Sequence, residues 1–463
     1  MELLDLIRSS VGPEGVLEGA SARERVNGWA DPRPSAALAI VRPASTEEVS
    51  RVLALCQAIG QAVVPMGGLT GLVQGSVAGP GEIGLSLERM NRIEAVDALG
   101  RTMLVEAGAT LQQVQEAAER EGLMFPLDLG ARGSATIGGN AATNAGGNRV
   151  IRYGMMREMV LGLEAVLADG TVIPALNRMI KNNAGYDLKQ LFIGTEGTLG
   201  VITRLVLRLR PLPRSHQTAI LACERFEQVT GLLGRLDALL GGTMSSFELM
   251  WREFYALVTT PPARGHGPIE AVYPYYVIVE SQGADPGADQ ARFEESLATA
   301  GEEGRFADAA IASSQAQRDA LWALRDDVAQ VFRLGHPFVF DVSLPLAEME
   351  GYVSEVHAAF MAQMPQQRCF TFGHLGDGNL HFVVVGPAGP EARGTVEEIV
   401  YRPLAARRGS VSAEHGIGIE KLAWLPLSRS ATEIALMRQL KRALDPRGIL
   451  NPGRVIGVIG AGS

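Results

Sequence analysis

Glycine is concentrated in one part of this 463-residue chain, and that concentration limits how the chain can fold. Residues 60–200 hold 24 of the 54 glycines. Because glycine has no Cβ, it permits tight turns and lets the backbone approach other groups closely. This region therefore favours a bound ligand that is wrapped by backbone.

The composition is that of a globular protein with 46% hydrophobic and 20% charged residues. At about 150 residues per domain, the length predicts two or three domains. The net charge is −9 and no run of basic residues occurs, so nucleic acid is not an expected partner.

No targeting signal is predicted from the sequence. The N-terminus has neither a basic region nor an apolar core, so no signal or transit peptide is expected, and no apolar stretch is long enough to predict a transmembrane segment. Three scattered cysteines fit a reducing compartment. We therefore expect a cytoplasmic protein.

Strands and helices alternate around the first glycine turn. Residues 36–42 and 62–65 predict strands, and the helix between them begins at a capping box of Ser45 and Glu48. The second strand leads into the turn 65–71, an arrangement by which α/β units present backbone N–H groups to phosphate. A hairpin is predicted at 163–173.

A second glycine pattern does not predict a nucleotide site. Residues 79–84 match the GxGxxG pattern of dinucleotide-binding units. Pro80 removes an N–H group there, and the residues that follow predict a strand instead of a helix. We interpret this segment as a turn before a strand.

Three more loops resemble the first turn in offering backbone without bulky side chains, at 126–130, 133–140 and 143–147. Together, the four segments could wrap a pyrophosphate and a planar ring. The candidate cofactor-binding residues in them are Pro65, Gly67, Gly68, Leu69, Thr70, Gly71, Pro126, Leu129, Gly133, Ser134, Thr136, Gly138, Gly139, Asn140, Thr143, Ala145 and Gly146.

A second domain is predicted after Pro213, where glycine becomes less frequent. Mixed strands and helices there indicate an α+β layer. The predicted strands lie near 217–223 and 273–280, and the predicted helices near 226–240, 315–332 and 346–364.

Two histidines in this domain lie on a predicted hairpin. With Asp377 and Gly378 as a two-residue turn, His374 pairs directly with His381, and their Cβ atoms would lie about 5 Å apart. From these residues alone, a metal site and a packed histidine pair are equally supported. Glu414 is the third candidate ligand, because two histidines and a glutamate form a catalytic zinc arrangement.

Four long motifs stand out in this sequence, namely the PxGGxTG turn at 65–71 and the segments 133–147, 182–203 and 445–453. Together they resemble the FAD-linked 2-hydroxy-acid dehydrogenases of the vanillyl-alcohol-oxidase type. The resemblance covers residues 35–455 and is nearest to D-2-hydroxyglutarate, D-lactate and glycolate dehydrogenases.

The resemblance implies an α+β fold in three parts. Residues 1–213 would form an FAD-binding domain of two subdomains, and 214–405 an α+β substrate or cap domain that carries the histidine hairpin. The C-terminal segment 406–463 would return to the flavin.

The resemblance also implies roles for the cofactor-binding residues. The turn 65–71 would hold the pyrophosphate, and the two loops from 126 to 140 would line the FAD. Gly197 and Ile202 would follow the adenine side, and Asn451 would reach the flavin. Because Leu69 stands where relatives with covalent flavin carry histidine, we expect non-covalent FAD.

A catalytic site follows from the same resemblance. His374, His381 and Glu414 would bind a divalent metal, with zinc first and manganese as the alternative. His415 would be the general base, and Arg325 would bind the substrate carboxylate. Without the resemblance, a solvated helix charge is the favoured interpretation of Arg325.

Three positions depart from the hydroxyglutarate enzymes. Val339, Val383 and Ala329 stand where those enzymes carry a lysine, an asparagine and a hydroxyl-bearing residue. The loss of these polar groups favours a small or apolar substrate side chain, so D-lactate is the first expectation and D-2-hydroxyglutarate the alternative.

Two other functions remain open, namely a flavin-binding electron-transfer subunit that oxidises no substrate and an oxygen-using oxidase. The expected electron acceptor is an electron-transfer flavoprotein or a quinone. A homodimer is left open.

Overall fold

The computed structural model describes residues 2–263 and 265–457. It divides the chain into two compact units. The first unit comprises 1–146, 154–212 and 414–463, and the second comprises 147–153 and 213–413. The sequence placed the boundaries after 213 and 405, and it did not separate 147–153 from the residues around them.

The strands of the described residues are β1 Val16–Glu18, β2 Ala39–Val41, β3 Val63–Met66, β4 Ile83–Ser86, β5 Ile93–Asp97, β6 Thr102–Glu106, β7 Leu123–Met124, β8 Val160–Val166, β9 Val172–Ala175, β10 Val201–Arg208, β11 Arg210–Pro211, β12 Ser215–Cys223, β13 Met244–Trp251, β14 Tyr275–Gly283, β15 Asp308–Ile311, β16 Phe338–Ser343, β17 Arg368–His374 and β18 Asn379–Val385.

Their α-helices are α1 Leu3–Val11, α2 Ala20–Arg23, α3 Thr46–Ile59, α4 Leu111–Arg120, α5 Ile137–Thr143, α6 Val150–Tyr153, α7 Met156–Met159, α8 Phe226–Leu240, α9 Arg252–Thr259, α10 Pro286–Glu302, α11 Gln315–Asp326, α12 Leu346–Gln363, α13 Arg393–Tyr401, α14 Leu425–Ser428 and α15 Ala431–Leu444.

The first unit contains two main sheets. One has the order β1-β2-β4-β3 and the other β5-β6-β10-β8-β9. Strands β2 and β3 both run parallel to β4, as the strand–helix–strand pattern at 36–65 predicts. The helix between them, α3, is capped by Ser45, whose side chain accepts a hydrogen bond from the Glu48 N–H.

The C-terminal segment pairs with the first of these sheets. The Val63 N–H donates to Ile449 O at 2.8 Å, and the Asn451 N–H donates to Val63 O at 2.8 Å. Nearby, the Lys441 ammonium is buried and donates to the carbonyls of Thr198 and Leu450 at 2.8 and 2.6 Å. It also pairs with the buried Asp445. This segment is thus held in the first unit by backbone pairing and a buried charge network.

The second unit is built on one antiparallel sheet with the order β15-β12-β14-β13-β17-β18-β16. Side chains of β12, β13, β14, β17 and β18 form an apolar core together with α9 and α11. The predicted helix 226–240 is confirmed by α8. The predicted helix 315–332 is wrong at its end, because α11 stops at Asp326 and a tighter 3₁₀ helix continues from Val328 to Leu334.

The predicted register of the histidine hairpin is also wrong. His381 lies opposite Phe372, not opposite His374. The connection is longer than two residues because Leu375–Asp377 form a 3₁₀ turn, and Gly378 then takes the left-handed conformation with φ +86°. Since the shift is two residues, His374 stays on the same face as His381.

No helix within the described residues is both long and apolar enough to cross a membrane.

Replacement of Lys441 by methionine should destabilise the first unit by about 3–5 kcal/mol, because Asp445 would keep a buried charge without its partner. Arg438→Met, at an exposed position of the same helix, should change the unfolding free energy by less than about 0.5 kcal/mol. Urea unfolding followed by circular dichroism measures both. Equal effects of the two substitutions would contradict the assigned role of the buried network.

Candidate functional site

The first glycine turn lies directly against the segment 133–140. A Cβ on Gly68 would stand 1.9 Å from Ser134 O, and one on Gly67 would stand 2.7 Å from Thr136 Oγ1. A larger side chain is therefore excluded at Gly68, where backbone blocks it, and at Gly67 it would displace the Thr136 hydroxyl. Gly71, at the end of the turn, differs because a Cβ there would meet no atom within 4 Å.

Helix α5 follows this contact and orders the next group of predicted residues. Thr136 caps the helix by accepting a hydrogen bond from the Gly139 N–H. Thr143 Oγ1 donates to Gly139 O at 3.1 Å, and the Ala145 N–H donates to Asn140 O at 2.8 Å. The segment 136–146 is thus a single local structure.

Two segments distant in sequence also reach this region. Gly197 has φ +73°, and a Cβ on it would lie 2.8 Å from Pro65 Cγ. Asn451 is buried, and its Nδ2 donates to the carbonyls of Gly75 and Glu196 at 3.0 and 2.6 Å. The structure therefore brings together the turn 65–71, Gly197 and the C-terminal segment.

Three other predicted cofactor residues lie elsewhere in the first unit. Pro126 is buried and Leu129 half-buried, in the loop after β7, and Ile202 is buried in β10. Leu69 takes the left-handed conformation with φ 56°.

Two buried polar atoms without hydrogen-bond partners in the described part of the chain indicate that this region could bind a cofactor. Asn140 Nδ2 and Asn451 Oδ1 are buried, and neither has a hydrogen-bond partner among the residues that the structure describes. Buried polar atoms normally have partners. An amide donor and an amide acceptor, together with the open space at Gly71, are suited to a polar ligand. We name this region the cofactor cradle.

Glu196 links the cradle to the segment that carries His415. Its carboxylate accepts hydrogen bonds from the N–H groups of Ile417 and Gly418 at 2.7 and 3.0 Å. Burial raises the pKa of this carboxyl above its ordinary value, and the two N–H groups oppose that rise. No role was predicted for Glu196 from the sequence.

The three predicted metal ligands lie close together. One ligand atom from each of His374, His381 and Glu414 lies within 4.8 Å of the other two. The two imidazole rings are nearly perpendicular, with centroids 5.3 Å apart. Glu414 follows Ala413, whose N–H donates to Asp341 Oδ2 at 2.8 Å, and Asp341 lies directly opposite His381. This donor set matches that of catalytic zinc sites.

Arg325 is buried beside the first histidine and is not a solvated helix charge. Its Nε donates to Glu248 Oε2 at 2.8 Å, and its guanidinium lies 4.9 Å from the centre of the Phe372 ring. Burial by itself raises the pKa of the Glu248 carboxyl, but its interactions with His374 and Arg325 outweigh burial and hold the pKa below its ordinary value. Glu248 was missed in the sequence, although it is the one charged residue in the buried strand β13.

The fold and the cradle define the class of protein, an FAD-binding flavoprotein of two units. The model of the FAD binding domain matches residues 37–175, and that of the C-terminal domain of FAD linked oxidases matches 212–455. Among solved structures, p-cresol methylhydroxylase aligns with a TM-score of 0.80 at 17% identity, over 98% of this chain and 96% of its own. Alkyldihydroxyacetonephosphate synthase aligns with a TM-score of 0.74 at 16% identity, over 97% and 84%. The expected α+β fold of the vanillyl-alcohol-oxidase type is confirmed.

Relatives of similar length narrow the class. The mitochondrial D-2-hydroxyglutarate dehydrogenase of Bos taurus is 41% identical over 90% of this chain and 76% of its own. The D-2-hydroxyglutarate dehydrogenases of Xanthomonas citri and Stutzerimonas stutzeri are 40% and 34% identical, over 90% and 98% of this chain and 89% and 98% of their own. This chain belongs to the FAD-linked oxidases and is an FAD-dependent dehydrogenase of D-2-hydroxy acids.

Two glycine substitutions separate the folding of the cradle from its binding of FAD. Gly68→Ala should lower the melting temperature of the FAD-free protein, because the new Cβ would overlap Ser134 O. Gly71→Ala should leave that temperature unchanged but reduce the flavin content, since the open space at Gly71 would be lined by cofactor. Differential scanning calorimetry and flavin absorbance measure the two effects. Full flavin content in Gly71→Ala would contradict the placement of FAD at this turn.

Proposed function

We propose that the protein oxidises a D-2-hydroxy acid with a small apolar side chain, D-lactate first, to the 2-oxo acid. The grouping of His374, His381 and Glu414 within 4.8 Å carries this proposal, because an accessory subunit that oxidises no substrate has no need of such a donor set. The electron-transfer subunit is therefore not favoured.

Non-covalent FAD in the cradle supplies the hydride acceptor of the reaction. Gly67, Gly68, Thr70 and Gly71 are proposed to contact its pyrophosphate. Asn140 and Asn451 would satisfy their unpaired amide atoms on the cofactor. Leu69 offers no nucleophile for a covalent bond to the flavin.

A divalent ion is proposed at His374, His381 and Glu414, with Zn²⁺ first and Mn²⁺ as the alternative. Such an ion lowers the pKa of an oxygen that coordinates it. The two histidines and one carboxylate leave a coordination position for a substrate oxygen.

The protein's own residues would then bind and deprotonate the substrate. Arg325 would pair with the 2-carboxylate through N–H groups that Glu248 does not occupy. His415 would accept the proton of the 2-hydroxyl on a ring nitrogen, as a general base suited to neutral pH. Loss of that proton and of hydride from C2 leaves the 2-oxo acid.

The proposed preference for a substrate with an apolar side chain rests on one cross-strand pair. Val339 lies directly opposite Val383, next along the sheet from the pair of Asp341 and His381. Both pairs lie on one face of the sheet, about 7 Å apart along the strands. The lysine and asparagine that the hydroxyglutarate enzymes carry there could donate hydrogen bonds to a second substrate carboxylate, whereas two valine side chains cannot. Ala329 likewise offers no hydroxyl.

D-2-Hydroxyglutarate is the second candidate substrate, because the relatives from Bos taurus, Xanthomonas citri and Stutzerimonas stutzeri are named for its oxidation. We propose an electron-transfer flavoprotein or a quinone as electron acceptor. The cytoplasmic location stays a prediction, and several relatives from animals and plants are named mitochondrial.

Substitution of Val339 by lysine tests the basis of substrate preference. The wild-type protein should have a higher kcat/KM for D-lactate than for D-2-hydroxyglutarate. Val339→Lys should raise kcat/KM for D-2-hydroxyglutarate by about 10- to 100-fold, because a hydrogen bond between charged groups contributes about 1.5–3 kcal/mol.

Val339→Met is the matched control, since it lengthens the side chain without adding charge. It should not increase the use of D-2-hydroxyglutarate. Comparable wild-type turnover of both acids would overturn the preference for D-lactate.

A further inference from the structure

Glu248 is a carboxylate without solvent exposure in a strand that is buried along its whole length. It is not one of the proposed metal ligands, and it is not one of the groups proposed to contact substrate. Burial of an ionised carboxylate is costly unless it is paired and hydrogen-bonded. The contacts of Glu248 therefore indicate what it does.

The first contact is with a proposed metal ligand. Glu248 lies directly opposite His374 across the β13–β17 pair, and its carboxylate is 2.8 Å from His374 Nδ1. Because an ionised carboxylate only accepts hydrogen bonds, Nδ1 must carry the proton. A histidine that binds a metal must be neutral, and its lone pair is then on Nε2. The Arg325 guanidinium, which only donates, lies with Nη2 3.4 Å from this nitrogen.

The second contact is with the proposed carboxylate-binding arginine. Arg325 Nε donates to the other side of the same carboxylate at 2.8 Å. A guanidinium has two edges that can bind a carboxylate. Glu248 takes Nε, and Nη2 faces His374. A substrate carboxylate would therefore meet the terminal nitrogens on the side of the guanidinium away from Glu248.

We propose that Glu248 is a positioning residue that orients a metal ligand and the substrate-binding arginine together. This inference rests on the proposed function. By holding the proton on His374 Nδ1, Glu248 turns Nε2 toward the metal, as carboxylates behind ligating histidines do. By holding Arg325 Nε, it keeps the arginine at a defined distance from the same metal. One carboxylate thus fixes both the metal ligand that would face the substrate hydroxyl and the arginine that would bind the substrate carboxylate.

The sheet contains a matched control. Glu280 is also buried, lies on the same face, and pairs with Arg149 Nε at 3.0 Å and Ser245 Oγ at 2.6 Å. The Glu280 contacts given by the structure include no proposed metal ligand. Glu280→Gln therefore removes a buried charge from the same sheet without changing the contacts of His374.

The test measures Zn²⁺ affinity of the FAD-loaded full-length chain after removal of divalent ions, by competition with a chromophoric chelator. Glu248→Gln should weaken Zn²⁺ binding by about 10- to 100-fold. The reason is that the carboxylate accepts hydrogen bonds from two N–H donors, whereas the glutamine amide would turn its own N–H₂ group toward one of them. Glu280→Gln should bind Zn²⁺ like the wild type. Equal affinity of Glu248→Gln and the wild type would overturn the inference while leaving the proposed metal in place.

A second measurement needs no Glu248 variant. The ¹⁵N spectrum of histidine-labelled, metal-free wild-type protein should show His374 with the proton on Nδ1, the signal being assigned by its loss in His374→Gln. A proton on Nε2 would overturn the inference. A wild-type protein that takes up no Zn²⁺ would overturn the proposed metal as well, which distinguishes the two failures.

Discussion

Three buried carboxylates in the seven-stranded sheet determine how the second unit holds its candidate site residues. Glu248, Glu280 and Asp341 are all shielded from solvent, and an ionised group in such surroundings must be paired or neutralised. Glu248 and Glu280 pair with arginines, and Asp341 accepts hydrogen bonds from Ser412 and Ala413. These bonds determine where the histidine hairpin, Arg325 and the chain leading to Glu414 are held.

The first unit obeys a different constraint, the close approach of backbone segments. Gly68 and Gly138 stand where a Cβ would overlap neighbouring groups, at 1.9 Å from Ser134 O and 2.6 Å from the Ala107 Cβ. At these glycines the backbone segments of the cradle approach each other closely, with no side chain between them. Asn451 completes the cradle from the C-terminal segment, which the Lys441 and Asp445 pair keeps in place.

The parts that could be predicted from sequence were local or carried by long motifs. Helix α8 follows from its apolar spacing, and the glycine turn identifies the cradle. The hairpin register could not be predicted, because it depends on the 3₁₀ turn at Leu375–Asp377. The role of Glu248 was hidden for a related reason: its partners Arg325 and His374 lie 77 and 126 residues away. A lone charge in an apolar strand was the available signal.

In the proposed reaction, metal-assisted oxidation of a D-2-hydroxy acid delivers electrons to FAD. The most direct measurement is the anaerobic visible spectrum of the purified protein during addition of D-lactate, before and after chelation of divalent ions. D-Lactate should bleach the flavin band, chelation should abolish the bleaching, and Zn²⁺ or Mn²⁺ should restore it. A flavin that D-lactate leaves oxidised with either metal supplied, or bleaching that survives chelation, would contradict the proposed reaction.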